Sequence, residues 1–270
     1  RLQLRGYKSI DLVGNVQLGG VAANGTLLTK SLVLDTANLR GVATNGAIGQ
    51  KAEVTAQQVT LRNTSGRATD TSLLGDTALT VMAKPVVADK TAEGVTVGAD
   101  GVTGAQRLAF LNSEIATTGD VVVRGAANVG AQGDLLMNAA RVTAARGANG
   151  AVDSAKVLTV AAIDQAKPGT PEAQVATART LGDVVGAGAS LRLSGQRVVQ
   201  SGVVDLASGK VNLTGRGDGN SADTVVFDTG SITRAAGWVA QAGGTWTSVA
   251  NAGSIKAQAQ QGDVVVRGTL

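Results

Sequence analysis

The stretch GASLRLSGQRVVQSGVVDLASGKVNLTG, residues 188–215, decides the fold. Within it, SLRLSG at 190–195 and KVNLTG at 210–215 repeat the same order of residue types at an interval of 20 residues. Both pieces alternate apolar and polar side chains, so the aliphatic residues point to one face of a strand while Arg192 and Asn212 point to the other. Both end in glycine, which permits a tight bend. The stretch therefore predicts short β-strands that repeat along the chain.

Strands of this apolar-x-apolar form recur along almost the whole sequence. GDVVVRG occurs twice without change, at 119–125 and at 262–268, and residues 59–61 and 79–81 are again 20 residues apart. One coil of such strands cannot bury its apolar face alone, whereas stacked coils bury a continuous core. Crossovers between parallel strands are right-handed. The predicted fold class is all-β: a right-handed parallel β-helix (β-solenoid) with loop excursions, formed by residues 1–270 as a single shaft.

Two segments interrupt the strand pattern. Residues 84–107 contain the loop-rich VTVGADGVTG, and residues 164–186 contain Pro168 and Pro171. We expect both segments to be loop excursions from the shaft, the second with room for a short helix that begins at Pro171. An antiparallel β-sandwich is the alternative architecture, although two-residue hairpin turns are few.

Composition excludes several classes of function. The chain has no Cys and no His, so it has no disulfide, no thiolate nucleophile and neither the usual general base nor the commonest metal ligand. The net charge of +4 comes from dispersed residues, and with only two Trp, one Tyr and two Phe the sequence does not favour nucleic-acid binding. No apolar run is long enough to span a bilayer. Because the chain begins at Arg1 without a signal peptide, we expect it to be a piece of a longer protein.

The repeats resemble those of a known family. Residues 188–215, the stretch GDLLMNAARVTAARG at 133–147 and the doubled GDVVVRG are similar to the repeats of filamentous haemagglutinin-like exoproteins. The resemblance implies a β-helical shaft of an adhesin that an outer-membrane transporter partner exports by two-partner secretion, and thus a secreted or bacterial cell-surface location. The family's secretion domain carries Asn-Pro-Asn motifs, and no Asn precedes a proline here. The chain therefore resembles shaft and not secretion domain.

The most specific local motif is Arg216-Gly217-Asp218, within TGRGDGNSAD. Flanking glycines predict a projecting turn. On an exposed turn, the tripeptide offers a guanidinium and a carboxylate to an integrin. An ordinary β-turn is the alternative, because a short motif in a chain rich in Arg, Gly and Asp also arises by chance.

Two further groups are candidate binding residues. Asp218, Asn220 and Asp223 offer oxygen ligands for calcium, but the motif does not recur with each coil as calcium-binding repeats do. Trp238 and Trp246 either stack on sugar rings or pack at the end of the core.

These observations favour a binding protein that is not an enzyme. We expect no cofactor and no metal. The expected partners are a host-cell surface receptor, a matrix protein or a glycan, contacted through loops on one side, chiefly 84–107, 164–186 and 215–223. A polysaccharide-active β-helix is one alternative, and it requires clustered carboxylates. Asp residues that follow glycine are instead interpreted as turn residues that bond backbone amides; these are Asp120, Asp134, Asp183 and Asp263. A biofilm-matrix component that self-associates through exposed terminal coils is the other alternative.

Overall fold

The protein is described from a computed structural model. The backbone is described for residues 1–85, 93–163, 186–220, 222–242 and 245–270. Strands dominate these residues, and the one helical element among them is a single 3₁₀ turn at Thr44–Gly46. Twenty-one strands form one large sheet, in which every strand pairing is parallel. The prediction of an all-β chain with parallel strands is therefore confirmed.

The strands of the large sheet form three parallel ladders, here named A, B and C, which the chain visits repeatedly in that order. Ladder A contains β1 (Leu2–Arg5), β4 (Ser31–Asp35), β7 (Gln58–Arg62), β16 (Val203–Asp205) and β19 (Ile232–Arg234), with parts of β9 (Glu93–Ala109), β10 (Asn112–Ala131) and β11 (Asp134–Ala144). Ladder B contains β2 (Ser9–Val13), β5 (Asn38–Val42), β12 (Asn149–Ser154), β14 (Ser190–Gly195), β17 (Lys210–Gly215) and β22 (Ser254–Ala259), with further parts of β9 and β10.

Ladder C completes each passage. It contains β3 (Val16–Gly19), β6 (Lys51–Ala56), β8 (Ala78–Ala83), β13 (Val157–Ala162), β15 (Arg197–Gln200), β18 (Asp223–Phe227) and β23 (Asp263–Val266), with the first parts of β10 and β11. One passage through the ladders is called a coil below. A strand thus pairs with the equivalent part of another coil. The long strands β9, β10 and β11 pair with one another because each passes through more than one ladder.

Aliphatic side chains form the core because the inward positions of successive strands are in register. In ladder A, one such row joins Leu4, Leu34, Leu61, Val97 and Val123. From Leu34 onward these side chains are 0–1% exposed. Similar rows in ladders B and C join it in one hydrophobic cluster. Alternation along each strand places the intervening residues on the outer faces.

The coils are not identical. Residues 63–77 contribute no strand to ladder B, so β5 pairs directly with β9. In ladder A, β11 pairs directly with β16 through Val142 and Val204. Antiparallel pairing among the described residues is limited to the hairpin of β20 (Trp238–Ala242) and β21 (Thr245–Ala250) and an isolated bridge at Val21 and Leu27. The large sheet is therefore not an antiparallel sandwich.

The predicted excursions have different outcomes. Residues 93–107 are strand and not loop, because Val95 and Val97 take inward, buried positions in ladder A. The glycines of this segment allow the chain to bend between ladders A and B, since Gly98 and Gly101 take positive φ of 85° and 70°. Residues 86–92 and 164–185 lie outside the described residues.

Candidate functional site

The Arg216-Gly217-Asp218 turn lies at the edge of the sheet where the chain passes from β17 in ladder B to β18 in ladder C. Backbone amides fix the start of the turn: Arg216 N–H donates to Gly195 O at 2.8 Å and Gly217 N–H to Gln196 O at 2.8 Å. Gly217 has φ of 79°, and a Cβ there would lie 2.6 Å from the Cβ of Gln261. Glycine is therefore required at this position both by conformation and by space.

The two charges of this tripeptide have different surroundings. Arg216 Nη1 lies 2.5 Å from Asp153 Oδ1, and Nη2 donates to the carbonyl of Ser154. Asp218 is exposed, and its Oδ1 accepts the amide of Asn220 at 2.9 Å. Residues 218–220 are exposed, but the Arg216 guanidinium is directed back onto ladder B. The Arg216 guanidinium of the tripeptide is therefore held by Asp153, whereas Asp218 lies in the exposed part of the turn.

Two of the three oxygen-bearing residues of the calcium hypothesis have separate local roles in the structure. Asp218 Oδ1 accepts a backbone amide, whereas Asp223 begins β18 and is in register with Asp263 of β23. Within the part of the chain that the structure describes, no group of three or more acidic side chains is arranged to hold a metal ion.

Trp238 and Trp246 belong to the β20–β21 hairpin, which the chain inserts between β19 of ladder A and β22 of ladder B. Trp238 pairs with Ala250, and Trp246 pairs with Gln241. The hairpin thus brings the two residues into one small sheet. Their side chains lie outside the described part of the molecule, so sugar stacking by them stays a prediction.

The described loops do not share one side of the sheet. Residues 43–50, 63–77 and 216–222 connect to strands of ladder C, whereas the β20–β21 hairpin connects ladder A to ladder B. The expectation of binding from one side, chiefly through 84–107, 164–186 and 215–223, stays a prediction, because 86–92 and 164–185 lie outside the described residues. Any corner of a coil can accept extra residues without disturbing the inward rows.

A buried ionic cluster was not predicted from the sequence. Arg141 Nη2 contacts Asp120 Oδ2, and Nη1 lies 3.8 Å from Asp205 Oδ2. The three side chains are 4–6% exposed. Burial raises the pKa of Asp120, against the Arg141 charge that lowers it, and the net pKa lies above its ordinary value. Its members come from three different coils, so the cluster forms only once those coils are aligned.

The cluster corrects one of the four predicted turn residues. Asp120 is buried in β10 and pairs with Arg141, so it is not a turn residue. Asp134 does accept a backbone amide, that of Val157 on the next coil, at 3.1 Å. Asp263 begins the exposed strand β23, and Asp183 lies outside the described residues.

Carboxylates on adjacent coils are neutralised by arginines. Glu93 and Asp120 are in register on neighbouring strands, as a polysaccharide-cleaving site would require. However, Arg124 pairs with Glu93, and Asp120 is 5% exposed and pairs with Arg141. A substrate cannot reach a buried carboxylate of this kind without unfolding the coil. This geometry favours a structural role for the pair.

Comparison of the chain with protein-family models, with curated proteins and with solved structures found no match. Within the described residues, no helix has the length and apolar character needed to cross a membrane. The geometry described above is thus the basis for a functional proposal.

Proposed function

We propose that this chain is a structural and adhesive shaft segment of a secreted bacterial surface adhesin of the filamentous haemagglutinin type. Its fold is a right-handed parallel β-helix. The shaft presents binding loops to host cells, to matrix or to other bacteria. Export through an outer-membrane transporter by two-partner secretion belongs to the same proposal and rests on the resemblance of the repeats.

The observation that carries this proposal is the fixed order in which the chain visits ladders A, B and C. Ladder C contains nine strands among the described residues. Since neighbouring strands are about 4.8 Å apart, such a stack is about 40 Å long. A stack that grows by one coil at a time is suited to holding surfaces at a distance, because each coil contacts mainly its neighbours.

Two features of the structure support an adhesive role over a catalytic one. Inside the fold, charged side chains of the described residues pair with one another, as Asp120 does with Arg141. The segments that leave the ladders, such as 216–220 and the β20–β21 hairpin, connect strands of the large sheet without belonging to it, and such connections tolerate variation. Binding through such segments needs no pocket.

An adhesion assay with protein-coated beads tests the proposal. Beads that carry the 270-residue protein are expected to adhere to epithelial monolayers, immobilised matrix protein or bacterial cells more than beads coated with albumin. A variant with 216–222 shortened to a Gly-Asn-Gly turn and a variant with the β20–β21 hairpin removed are expected to adhere less, with an unchanged far-UV circular dichroism spectrum. If the beads adhere to none of the three surfaces, the adhesive role is refuted.

A further inference from the structure

A row of polar and basic side chains crosses the outer face of ladder B. Arg192 of β14 is in register with Asn212 of β17, and Asn212 is in register with Lys256 of β22. Arg192 and Lys256 are exposed and Asn212 is half-buried, whereas the flanking inward residues Leu191 and Leu213 are buried. The alternation of the strands therefore holds this row on the solvent side.

A third cation lies beside the row. Lys210 is exposed and precedes Asn212 by two residues on the same strand, so both side chains project from the same face. Among the side chains that the structure describes, none forms an ion pair with Arg192, Lys210 or Lys256. Asp153, on the same face of the neighbouring strand β12, is paired with Arg216. Within the described residues, the face therefore carries three positive charges without a paired carboxylate.

The spacing of these charges is set by the ladder itself. Neighbouring strands are about 4.8 Å apart, so Arg192 and Lys256, two strands apart, are separated at their backbones by about 9.6 Å. Hydroxyl and amide side chains fill the positions between and beside the cations on the same face; they are Ser190, Asn212, Thr214, Ser254 and Gln258. A flat face with regularly spaced cations and neutral hydrogen-bonding groups complements an extended chain that carries acidic groups and hydroxyls.

We propose that the outer face of ladder B over β14, β17 and β22 binds a linear acidic polysaccharide, whose carboxylate or sulfate groups contact Arg192, Lys210 and Lys256. Hydroxyl and amide side chains of the face bond the sugar hydroxyls. This binding deepens the adhesive role proposed above by naming a ligand class and a face for it.

The surface favours a polysaccharide over a nucleic acid for two reasons. The described side chains of this face include no aromatic ring, so unpaired bases have no platform on which to stack. The residues of this face also lie on strands that are paired within the large sheet, whereas the groove of a duplex is entered by a helix or by a projecting ribbon. Sugar hydroxyls need neither feature.

Two triple variants with equal charge change provide the test. The face variant carries Arg192→Gln, Lys210→Gln and Lys256→Gln, and the control variant carries Arg5→Gln, Lys30→Gln and Lys84→Gln at exposed positions outside β14, β17 and β22. Each lowers the formal net charge by three from +4. Affinity at low salt is measured by fluorescence anisotropy for labelled polygalacturonate, dextran sulfate, neutral dextran, single-stranded DNA and duplex DNA.

The parent protein is expected to bind polygalacturonate, dextran sulfate or both, and the preferred ligand identifies carboxylate or sulfate as the acidic group. The face variant is expected to bind about tenfold more weakly, since three exposed ion pairs of modest strength are lost. The control variant should keep the parent affinity, and added salt should weaken binding by the parent.

Three outcomes would overturn the proposal: absence of binding to both acidic polysaccharides, equal losses in the two variants, or tighter binding to either form of DNA or to neutral dextran. Its failure is separable from failure of the adhesive role. If the beads adhere to cells but the protein does not bind acidic polysaccharides, the adhesive role stands and the polysaccharide proposal is wrong. If the protein binds polysaccharides but the beads do not adhere, the adhesive role is wrong and the polysaccharide proposal stands.

Discussion

Replacement of Leu61 by alanine tests whether the inward rows hold the protein together. Leu61 is 0% exposed and is in register with Leu34 on one side and Val97 on the other. Leu74, in the same coil, is 64% exposed and therefore offers the same substitution on the surface. The two variants lose identical atoms from positions 13 residues apart. A difference between their stabilities is therefore due to the burial of the side chain and not to the kind of atoms removed.

The magnitude follows from the burial of Leu61. The substitution removes three buried carbon groups, which at about 0.8 kcal/mol each lowers the free energy of unfolding by about 2.4 kcal/mol. A cavity term adds to this, because ladder hydrogen bonds hold the strands of Leu34 and Val97 in place and limit collapse. We expect a total loss of about 3–4 kcal/mol, within the usual range for buried leucine. Leu74→Ala should cost less than about 0.5 kcal/mol.

Urea denaturation followed by far-UV circular dichroism measures both variants against the parent protein. Because a stack of coils can lose cooperativity, the m value is compared as well, and a lower m value for Leu61→Ala would indicate that its coil unfolds separately. Equal destabilisation by Leu61→Ala and Leu74→Ala, or a loss below about 1 kcal/mol for Leu61→Ala, would refute the assignment of Leu61 to a closely packed interior.

Three further predictions concern charge and edges. Arg141→Met leaves the buried Asp120 without its cation and should lower the free energy of unfolding by about 3–5 kcal/mol, whereas Arg216→Met, which breaks a half-exposed pair, should cost at most about 1 kcal/mol in the same urea titration. Burial raises the pKa of Asp35, but hydrogen bonds from Thr64 and the Arg62 charge outweigh it and its pKa lies below the ordinary value; stability should therefore fall as pH drops from about 3.9 through the lowered value, and Asp35→Asn should flatten that fall in acid titrations of thermal unfolding. Val266→Lys, at a 51% exposed position of the edge strand β23, should reduce concentration-dependent association in sedimentation experiments, and unchanged association would exclude pairing through that edge.

The two kinds of buried charge differ in how far the sequence could anticipate them. Asp35 ends β4 and is in register with Arg62, which ends β7. Thr64 follows Arg62 by two residues, so a correct strand alignment places the three together. Arg141 and Asp205 are not in register and belong to coils separated by residues 164–185. This contact depends on the direct pairing of β11 with β16, although β12 to β15 lie between them in the chain. No local sequence pattern predicts that pairing.

The turn at Arg216 shows the same limit at the candidate site. Glycines on either side predict a projecting turn, and Gly217 and Gly219 do take positive φ of 79° and 80°. The direction of the Arg216 side chain depends instead on Asp153, which precedes it by 63 residues. The tripeptide can thus be recognised in the sequence, whereas the ion pair of Arg216 with Asp153 cannot.

The sequence by itself determined that the chain forms short strands with aliphatic inner faces, because alternation and glycine bends act over two to six neighbouring residues. The tertiary structure alone decided which strands become neighbours, and with them the Asp120–Arg141 pair and the row from Arg192 to Lys256. The physical reason is that lateral register depends on the length and path of every connection between coils. A strand encodes which of its faces is buried, but the residue that lies beside it is supplied by another coil.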